Sequence, residues 1–129
     1  MKSIKIQREV FMIENIGIGI DIVDINRFEK ISYVSKLGFY KKIFLPSEIR
    51  YCLKYENPYE HFAGKFAIKE AVKKSIQEKI SLLEIETFHL NSQLKVKLVK
   101  LKKSKYKFLA SLSHEKNIAI GVVISERIN

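Results

Sequence analysis

The chain has 129 residues, a length that suits one domain with a modest core. Its 24 lysines and arginines outnumber its 14 acidic residues, so the formal net charge is +10, while 47% of the residues are hydrophobic. That apolar content excludes a disordered basic tail. The single cysteine, Cys52, excludes an internal disulfide framework and a cysteine-rich zinc site. A surplus of ten positive charges requires acidic partners.

The positive charge is concentrated in two stretches. Residues 95–107 contain seven lysines and no acid, and five more lysines lie between residues 65 and 79. A charged run is most often the solvated face of an element, so for residues 95–107 both that interpretation and binding of a polyanion stay open. No apolar run of membrane-spanning length and no secretion signal is visible, so we expect a cytoplasmic chain without a membrane partner.

The first predicted element is a strand over residues 16–23, in which apolar residues alternate. One face carries Gly17, Gly19 and Asp21, and two glycines on one face let another element approach closely. The other face carries four isoleucines: Ile16, Ile18, Ile20 and Ile22. Asp24 is placed to cap a helix over residues 25–34.

Two prolines predict the starts of the next helices. Pro46 begins a short helix, and Pro58, after the capping candidate Asn57, begins a long helix that ends near Glu78. Four strands follow, over residues 82–88, 94–98, 106–112 and 118–124. We expect the second and third of these strands to form a hairpin, and a turn at His114 to lead into the last. Early helices and late strands favour an α+β fold, with a mainly antiparallel sheet packed on the long helix.

A carboxylate interrupts the apolar face of the long helix. At about 100° per residue, Phe62, Ala63 and their apolar neighbours fall in an arc of roughly 180°, and Glu70 lies near its centre. An unpaired buried carboxylate is costly, so it needs a basic side chain, a hydrogen-bond network or a metal ion. If the helix packs on the glycine face of the first strand, Glu70 meets Asp21.

Two neighbouring carboxylates repel each other unless a cation lies between them. Mg²⁺ takes one or two protein carboxylates and completes its coordination with water and phosphate oxygens, and the lysines near Glu70 suit a polyphosphate. The alternative is structural: Glu70 pairs with a lysine, and Asp21 caps the strand. Periodicity leaves both interpretations open.

His114, as a lone histidine, is by itself more often structural than functional.

Three stretches in this order and spacing carry a resemblance to a known family. They are residues 16–28 (IGIGIDIVDINRF), residues 66–74 (FAIKEAVKK) and residues 111–115 (SLSHE). They resemble the holo-acyl-carrier-protein synthases, the short type of 4′-phosphopantetheinyl transferase, from about Met12 to the C-terminus. The resemblance implies a transferase of lipid and fatty acid biosynthesis with the 4′-phosphopantetheinyl transferase-like fold. Such an enzyme moves the phosphopantetheine arm of coenzyme A to a serine of apo acyl carrier protein and releases adenosine 3′,5′-bisphosphate.

The resemblance also implies the roles of particular residues. Asp21 and Glu70 are expected to bind Mg²⁺ and, with Lys74, to form the catalytic group. The residues expected to bind coenzyme A are Lys65, Lys69, Lys74 and His114. The residue expected to bind the carrier protein is Arg27. Short members of the family resemble homotrimers with active sites shared between subunits, which predicts an apolar sheet face left uncovered on one chain.

The chain departs from the family pattern at three places. The long helix ends without the usual glycine-rich turn, and Asn91-Ser-Gln stands where many members have Gly-Lys-Pro. Residues 1–11 precede the usual start, so we divide the chain into an N-terminal extension and a single transferase domain over residues 12–129. We expect the extension to be dispensable for activity. The competing hypothesis, a basic α+β nucleic-acid-binding module, gives no reason for Glu70 on an apolar face.

Overall fold

The computed structural model of the chain describes residues 13–100 and 105–128. Within these ranges there are five strands: β1 (Ile16–Asp24), β2 (Ile85–Leu90), β3 (Gln93–Leu98), β4 (Tyr106–Glu115) and β5 (Ile118–Arg127). The helices are α1 (Ile25–Glu29), α2 (Leu37–Lys41), α3 (Pro46–Leu53) and α4 (Pro58–Ser75), with a short 3-10 helix over Leu82–Glu84. All strand pairs among these are antiparallel, and the predicted α+β class is confirmed. None of these helices is long and apolar enough to cross a membrane.

The strands form two sheets rather than one. The larger sheet has the order β1-β5-β4, and the smaller is the β2–β3 hairpin. The predicted hairpin between β3 and β4 is therefore wrong, and its expected Lys-Lys-Ser turn lies outside the described residues. Alternation of apolar and polar residues predicts a strand, but it does not predict which other strand pairs with it. β3 pairs with β2 because a two-residue turn joins them, with Leu90 opposite Gln93, and such short connections favour hairpins.

Helix α4 packs closely on the larger sheet because β1 carries glycines on that face. A Cβ atom at Gly17 would lie 1.7 Å from the carbonyl oxygen of Ser75, and one at Gly19 would lie 1.9 Å from that of Ala71. No side chain fits at either position unless the helix moves away. The sequence prediction that another element approaches the glycine face is confirmed, and this approach brings α4 alongside Asp21.

The predicted helix starts are confirmed, but two helices end earlier than predicted. The side chains of Asp24 and Asn57 accept backbone N–H bonds at the starts of α1 and α4, at 3.0 and 3.2 Å. Helix α1 ends at Glu29, and the hydroxyl of Tyr40 then donates to the nearby carbonyls of Phe28 and Ile31. Helix α4 ends at Ser75, whose hydroxyl donates to a carbonyl of the last turn.

Buried side chains on α4 join two parts of the core. An aromatic part lies among the helices, where the rings of Tyr40 and Phe62 are 4.6 Å apart between centres. An aliphatic part lies between α4 and the strands and includes Ile68, Ile85 and Leu98. Ten of the eighteen residues of α4 are buried, so the position of this helix is fixed from several sides.

Candidate active site

Asp21 lies at the edge where β1 meets α4. It follows Gly19 on the helix-facing side of the strand, and it pairs in register with Gly121 of β5. The Lys74 ammonium is 3.0 Å from the Asp21 carboxylate and donates to the Ile20 carbonyl at 2.9 Å. The Lys74 side chain is 53% exposed and that of Asp21 is 16% exposed, so this ion pair opens to solvent.

Glu70 lies one helical turn before Lys74. Residues four apart share a helix face, and the contact between Lys74 and Asp21 shows that this face of α4 is directed at β1. Glu70 is half-buried, and no hydrogen bond or ion pair joins its carboxylate to any other residue in the described ranges. The structural alternative, with Glu70 paired to a lysine, is not what the structure has. Lys74 pairs with Asp21 instead, and the capping carboxylate is that of Asp24.

The two carboxylates have the donor chemistry of a magnesium site. Oxygen ligands suit this hard cation, which needs only one or two carboxylates when water and phosphate oxygens complete the octahedron. Across the described part of the chain, no group of three or more His, Cys, Asp and Glu side chains could enclose a metal. Two carboxylates on adjoining elements, of which that of Glu70 has no partner among the described residues, fit Mg²⁺ bound together with a phosphate ligand.

Lys69, which the sequence assigned to phosphate contact, is fully buried on another face of α4. Its ammonium is 2.5 Å from the Glu48 carboxylate and donates to the carbonyls of Ile43 and Leu82 at 2.8 and 3.1 Å. These three bonds use all three donors of the ammonium group. The structure therefore contradicts the phosphate role of Lys69. The reason is that its partner, Glu48, comes from a distant element that the helical periodicity of α4 cannot show.

Lys65 is also buried, with 4% of its surface exposed, but it has no carboxylate partner among the described residues. Its ammonium donates to the Thr87 hydroxyl at 3.0 Å and lies 4.5 Å from the centre of the Tyr51 ring. Burial lowers the pKa of Lys65 below its ordinary value. This side chain lines a cavity of about 400 Å³ together with Arg50, Lys54, His89 and neighbouring polar groups. Such a basic cavity suits an anion.

Two tyrosine–histidine stacks flank Lys65, and sequence reasoning did not single them out. The rings of Tyr55 and His61 are 3.7 Å apart between centres, and those of Tyr51 and His89 are 4.6 Å apart. Burial is the largest cause that lowers the pKa of both histidines, and the nearby Lys65 charge adds to it. The sequence offered no signal for these stacks, because each pairs residues from different turns or elements.

The remaining predicted residues, which belong to other elements, contact α4 at two other places. His114, near the end of β4, is 2.8 Å from the Glu60 carboxylate in the first turn of the helix. Arg27 is exposed on α1, and its guanidinium lies 5.5 Å from the centre of the Phe66 ring. Phe66 precedes Glu70 by one turn, so Arg27 stands beside the acidic edge of the site. No contact joins His114 to Asp21 or Lys74 within the described residues.

The sheet face opposite α4 is apolar and exposed. Ile18, Val122 and Ile124 lie on it, and Ile18 is 68% exposed. Leu109 of β4 stands opposite Ile124, so that an apolar row crosses all three strands. Large exposed apolar faces of this kind mark interfaces with other chains. The uncovered face predicted from the sequence is therefore present.

Comparison with known proteins agrees with this geometry. The model of the 4′-phosphopantetheinyl transferase superfamily matches residues 17–123. The holo-[acyl-carrier-protein] synthase of Thermodesulfovibrio yellowstonii is 38% identical over 110 residues, which cover 84% of this chain and 96% of that protein. The synthase of Syntrophus aciditrophicus is 49% identical over 49 residues, 38% of either chain. The crystal structure of the Helicobacter pylori synthase in complex with coenzyme A is 35% identical, with a TM-score of 0.73, and covers 84% of this chain and 99% of that one.

An α+β fold in which a long helix packs closely on a glycine-bearing strand, together with these similarities, defines a class of transferase. The chain belongs to the 4′-phosphopantetheinyl transferase superfamily, and the relatives described above are holo-[acyl-carrier-protein] synthases. The resemblance read from the sequence is confirmed.

Proposed function

We propose that this chain transfers the 4′-phosphopantetheine arm of coenzyme A to a serine of apo acyl carrier protein and releases adenosine 3′,5′-bisphosphate. The observation that carries the proposal is the acidic edge of α4 and β1, where Lys74 of α4 binds Asp21 of β1 and Glu70 precedes Lys74 by one helical turn. The similarity to holo-[acyl-carrier-protein] synthases, one of them solved with coenzyme A, supports the same activity. The attacking hydroxyl belongs to the carrier protein, so no serine of this chain needs activation.

Asp21 and Glu70 are the residues proposed to hold Mg²⁺. When bound there, Mg²⁺ supplies neutralisation of charge on the pyrophosphate and orients the transferred phosphoryl group. Lys74 is half-exposed and lies at the same edge, so its ammonium can turn from Asp21 towards a phosphate oxygen. These three side chains form the proposed catalytic group. Glu70 can also orient a water that accepts the serine proton.

Lys65 and His114 are proposed to bind coenzyme A away from the acidic edge. The Lys65 ammonium is buried with no carboxylate partner in the part of the chain that the structure describes, and Arg50 and Lys54 make its cavity more positive. A phosphate group there would compensate a charge that hydroxyl and carbonyl groups compensate only in part. His114 already binds the Glu60 carboxylate through Nδ1, which leaves Nε2 for a ligand.

Arg27 is proposed to bind the acidic surface of the carrier protein. Its guanidinium is exposed and stands on Phe66, next to the site that must receive the carrier serine. We expect Arg27→Ala to weaken carrier-protein affinity about tenfold, because a charged contact at an interface contributes about 1–3 kcal/mol. Coenzyme A affinity should stay the same, as calorimetry with each ligand would show. The matched control is Arg127→Ala, an exposed arginine at the opposite end of the sheet. Equal loss of both affinities in Arg27→Ala would make the residue structural.

The uncovered sheet face is proposed to bind further copies of the chain, as a homotrimer with shared active sites. One chain of this size offers limited surface to two large substrates. Burial of the exposed isoleucine-rich face against another chain would also be favourable. We also propose a cytoplasmic location. The division at residue 12 stays a proposal too, since residues 1–12 lie outside the described ranges.

The nucleic-acid hypothesis receives less support. Of the 95–107 lysines, Lys97 lies 3.6 Å from the Glu86 carboxylate and 5.2 Å from the centre of the Phe88 ring, as expected of a solvated strand face. Lys102 and Lys103 lie outside the described residues.

Mass spectrometry of an apo acyl carrier protein separates the two functions. After incubation with this chain, coenzyme A and Mg²⁺, the carrier should gain the mass of one phosphopantetheine group. An unchanged carrier mass, together with salt-dependent binding of the chain to duplex DNA, would support the nucleic-acid module instead.

A further inference from the structure

A buried polar cluster joins α4 to α3 and β2, away from the acidic edge. Its centre is Glu48 of α3, a carboxylate that is only 1% exposed. At about 100° per residue, Lys65 and Lys69 point roughly 120° away from Ala71 and Ser75, the part of α4 that contacts the glycines of β1. The cluster therefore holds the helix from a side that the larger sheet does not reach.

Glu48 accepts bonds with both of its carboxylate oxygens. One oxygen binds the Lys69 ammonium and accepts from the Leu45 N–H at 2.8 Å. The other accepts from the Thr87 N–H at 2.8 Å and from the Thr87 hydroxyl at 2.7 Å. The same hydroxyl accepts from Lys65, so a continuous chain of polar contacts runs from Lys65 through Thr87 and Glu48 to Lys69.

Lys65 and Lys69, at the two ends of this series of polar contacts, each lie next to a part of the proposed site. Lys69 immediately precedes Glu70, so fixing its side chain fixes the rotation of the turn that carries the Glu70 carboxylate. Lys65 lines the basic cavity, and Thr87 determines where its ammonium lies. Bonds to charged groups in a dry environment are strong and directional, which makes the cluster suitable for fixing geometry.

We propose that Glu48 is a positioning residue for the transfer reaction. Through Lys69 it fixes α4 with Glu70 directed at β1, and through Thr87 it fixes the Lys65 ammonium in its cavity. The inference rests on the proposed function, because it gives Glu70 and Lys65 their metal and coenzyme A roles. It adds a residue that does not touch the substrate and to which the resemblance assigns no role.

Glu48→Gln tests the proposal, since the amide keeps the shape of the side chain and removes its charge. We expect the Mg²⁺ concentration for half-maximal transfer to rise about tenfold or more, the effect of removing groups that orient metal ligands. The dissociation constant of coenzyme A, measured by calorimetry, should rise as well, while that of the carrier protein stays at the wild-type value. Thr87→Val should weaken coenzyme A binding more than it changes the Mg²⁺ dependence, because it removes the hydroxyl that joins Lys65 to Glu48 and keeps the ion pair between Glu48 and Lys69.

Ile49→Val is the control for stability alone, because Ile49 is buried next to Glu48 on α3 and lies outside the polar cluster. Glu48→Gln with a lower melting temperature but wild-type Mg²⁺ and coenzyme A constants would overturn the inference. If Glu48→Gln does not fold, the double variant Glu48→Gln/Lys69→Met, which leaves no buried charge in this pair, carries the same expectations. Failure of the wild-type chain to transfer would refute the proposed function instead, so the two failures are distinguishable.

Discussion

His61 and His89 show how burial at a basic site affects stability. Both stack on tyrosines, and burial lowers the pKa of each below its ordinary value of 6.5 in the folded chain. The groups that face them include Lys65, Glu60 and His114. Because the unfolded chain holds its histidine protons to higher pH, it binds more protons than the folded chain just below pH 6.5. The free energy of unfolding therefore falls as the pH drops below 6.5 towards the lower pKa values that the two histidines have in the folded chain.

The double variant His61→Gln/His89→Gln should lose this pH dependence. We expect its melting temperature to change less than that of the wild type between about pH 7 and pH 5, as measured by calorimetry. His114→Gln, at a histidine that binds Glu60, is the comparison variant. A double variant with the wild-type acid sensitivity would show that other groups cause the decline.

Three lysines of one helix illustrate what sequence reasoning can and cannot reach at the scale of residues. Lys65, Lys69 and Lys74 all lie near Glu70 in the sequence, and the resemblance assigned all three to coenzyme A. Their partners in the structure are Thr87, Glu48 and Asp21, each distant along the chain. Periodicity predicts which face a residue occupies, but not which distant side chain meets it there. Only the position of Glu70 could be inferred from the helix itself.

Among the connections between elements, the β2–β3 turn has two residues with positive φ values although neither of them is glycine. Asn91 and Ser92 have φ values of 52° and 66°, in the left-handed region, and they form the two-residue turn of this hairpin. Turns with two positive φ values favour Asn-Gly, because a side chain at the second position costs about 1 kcal/mol. The departure from the family pattern at Asn91-Ser-Gln therefore leaves a strained serine.

Ser92→Gly should raise the free energy of unfolding by up to about 1 kcal/mol, because glycine accepts this conformation without strain. Urea denaturation measures the change. The control Ser113→Gly replaces a serine in the extended strand β4 and should destabilise the chain. A Ser92→Gly variant less stable than the wild type would contradict this account of the turn.

Sequence patterns predicted the positions of helices and strands better than they predicted which of these elements contact each other. Both proline starts, the two side-chain caps and the close approach at Gly17 and Gly19 follow from local chemistry, and all are present. The wrong β3–β4 hairpin and the overlong α1 and α4 have a common cause. Strand pairing and helix ends depend on contacts from elsewhere, such as the Tyr40 hydroxyl at the end of α1.

For the whole molecule, the exposed isoleucine face leads to a prediction about assembly. We expect the wild-type chain to sediment as a trimer and Ile18→Asp to shift it to the monomer, because a buried unpaired carboxylate costs several kcal/mol at an apolar interface. Transfer activity should fall with the trimer, because we propose that each active site is shared between subunits. Val34→Asp, at an apolar residue that is 82% exposed elsewhere, is the control and should stay assembled. An Ile18→Asp variant that remains a trimer would place the interface on another surface.

The net charge of +10 acquires two specific partners in this account: the phosphates of coenzyme A and an acidic carrier protein. The groups that we propose to be decisive, however, are the two acids Asp21 and Glu70. We propose that Glu70 holds the Mg²⁺ on which transfer depends, and the mass of apo carrier protein after incubation with coenzyme A, Mg²⁺ and each variant tests this role.

We expect phosphopantetheine addition by the wild type and by the control Glu56→Gln, which alters an exposed acid. We expect no addition by Glu70→Gln, nor by the wild type after removal of Mg²⁺ with a chelator. Addition at the wild-type rate by Glu70→Gln, or in the presence of the chelator, would show that Glu70 does not hold an essential Mg²⁺.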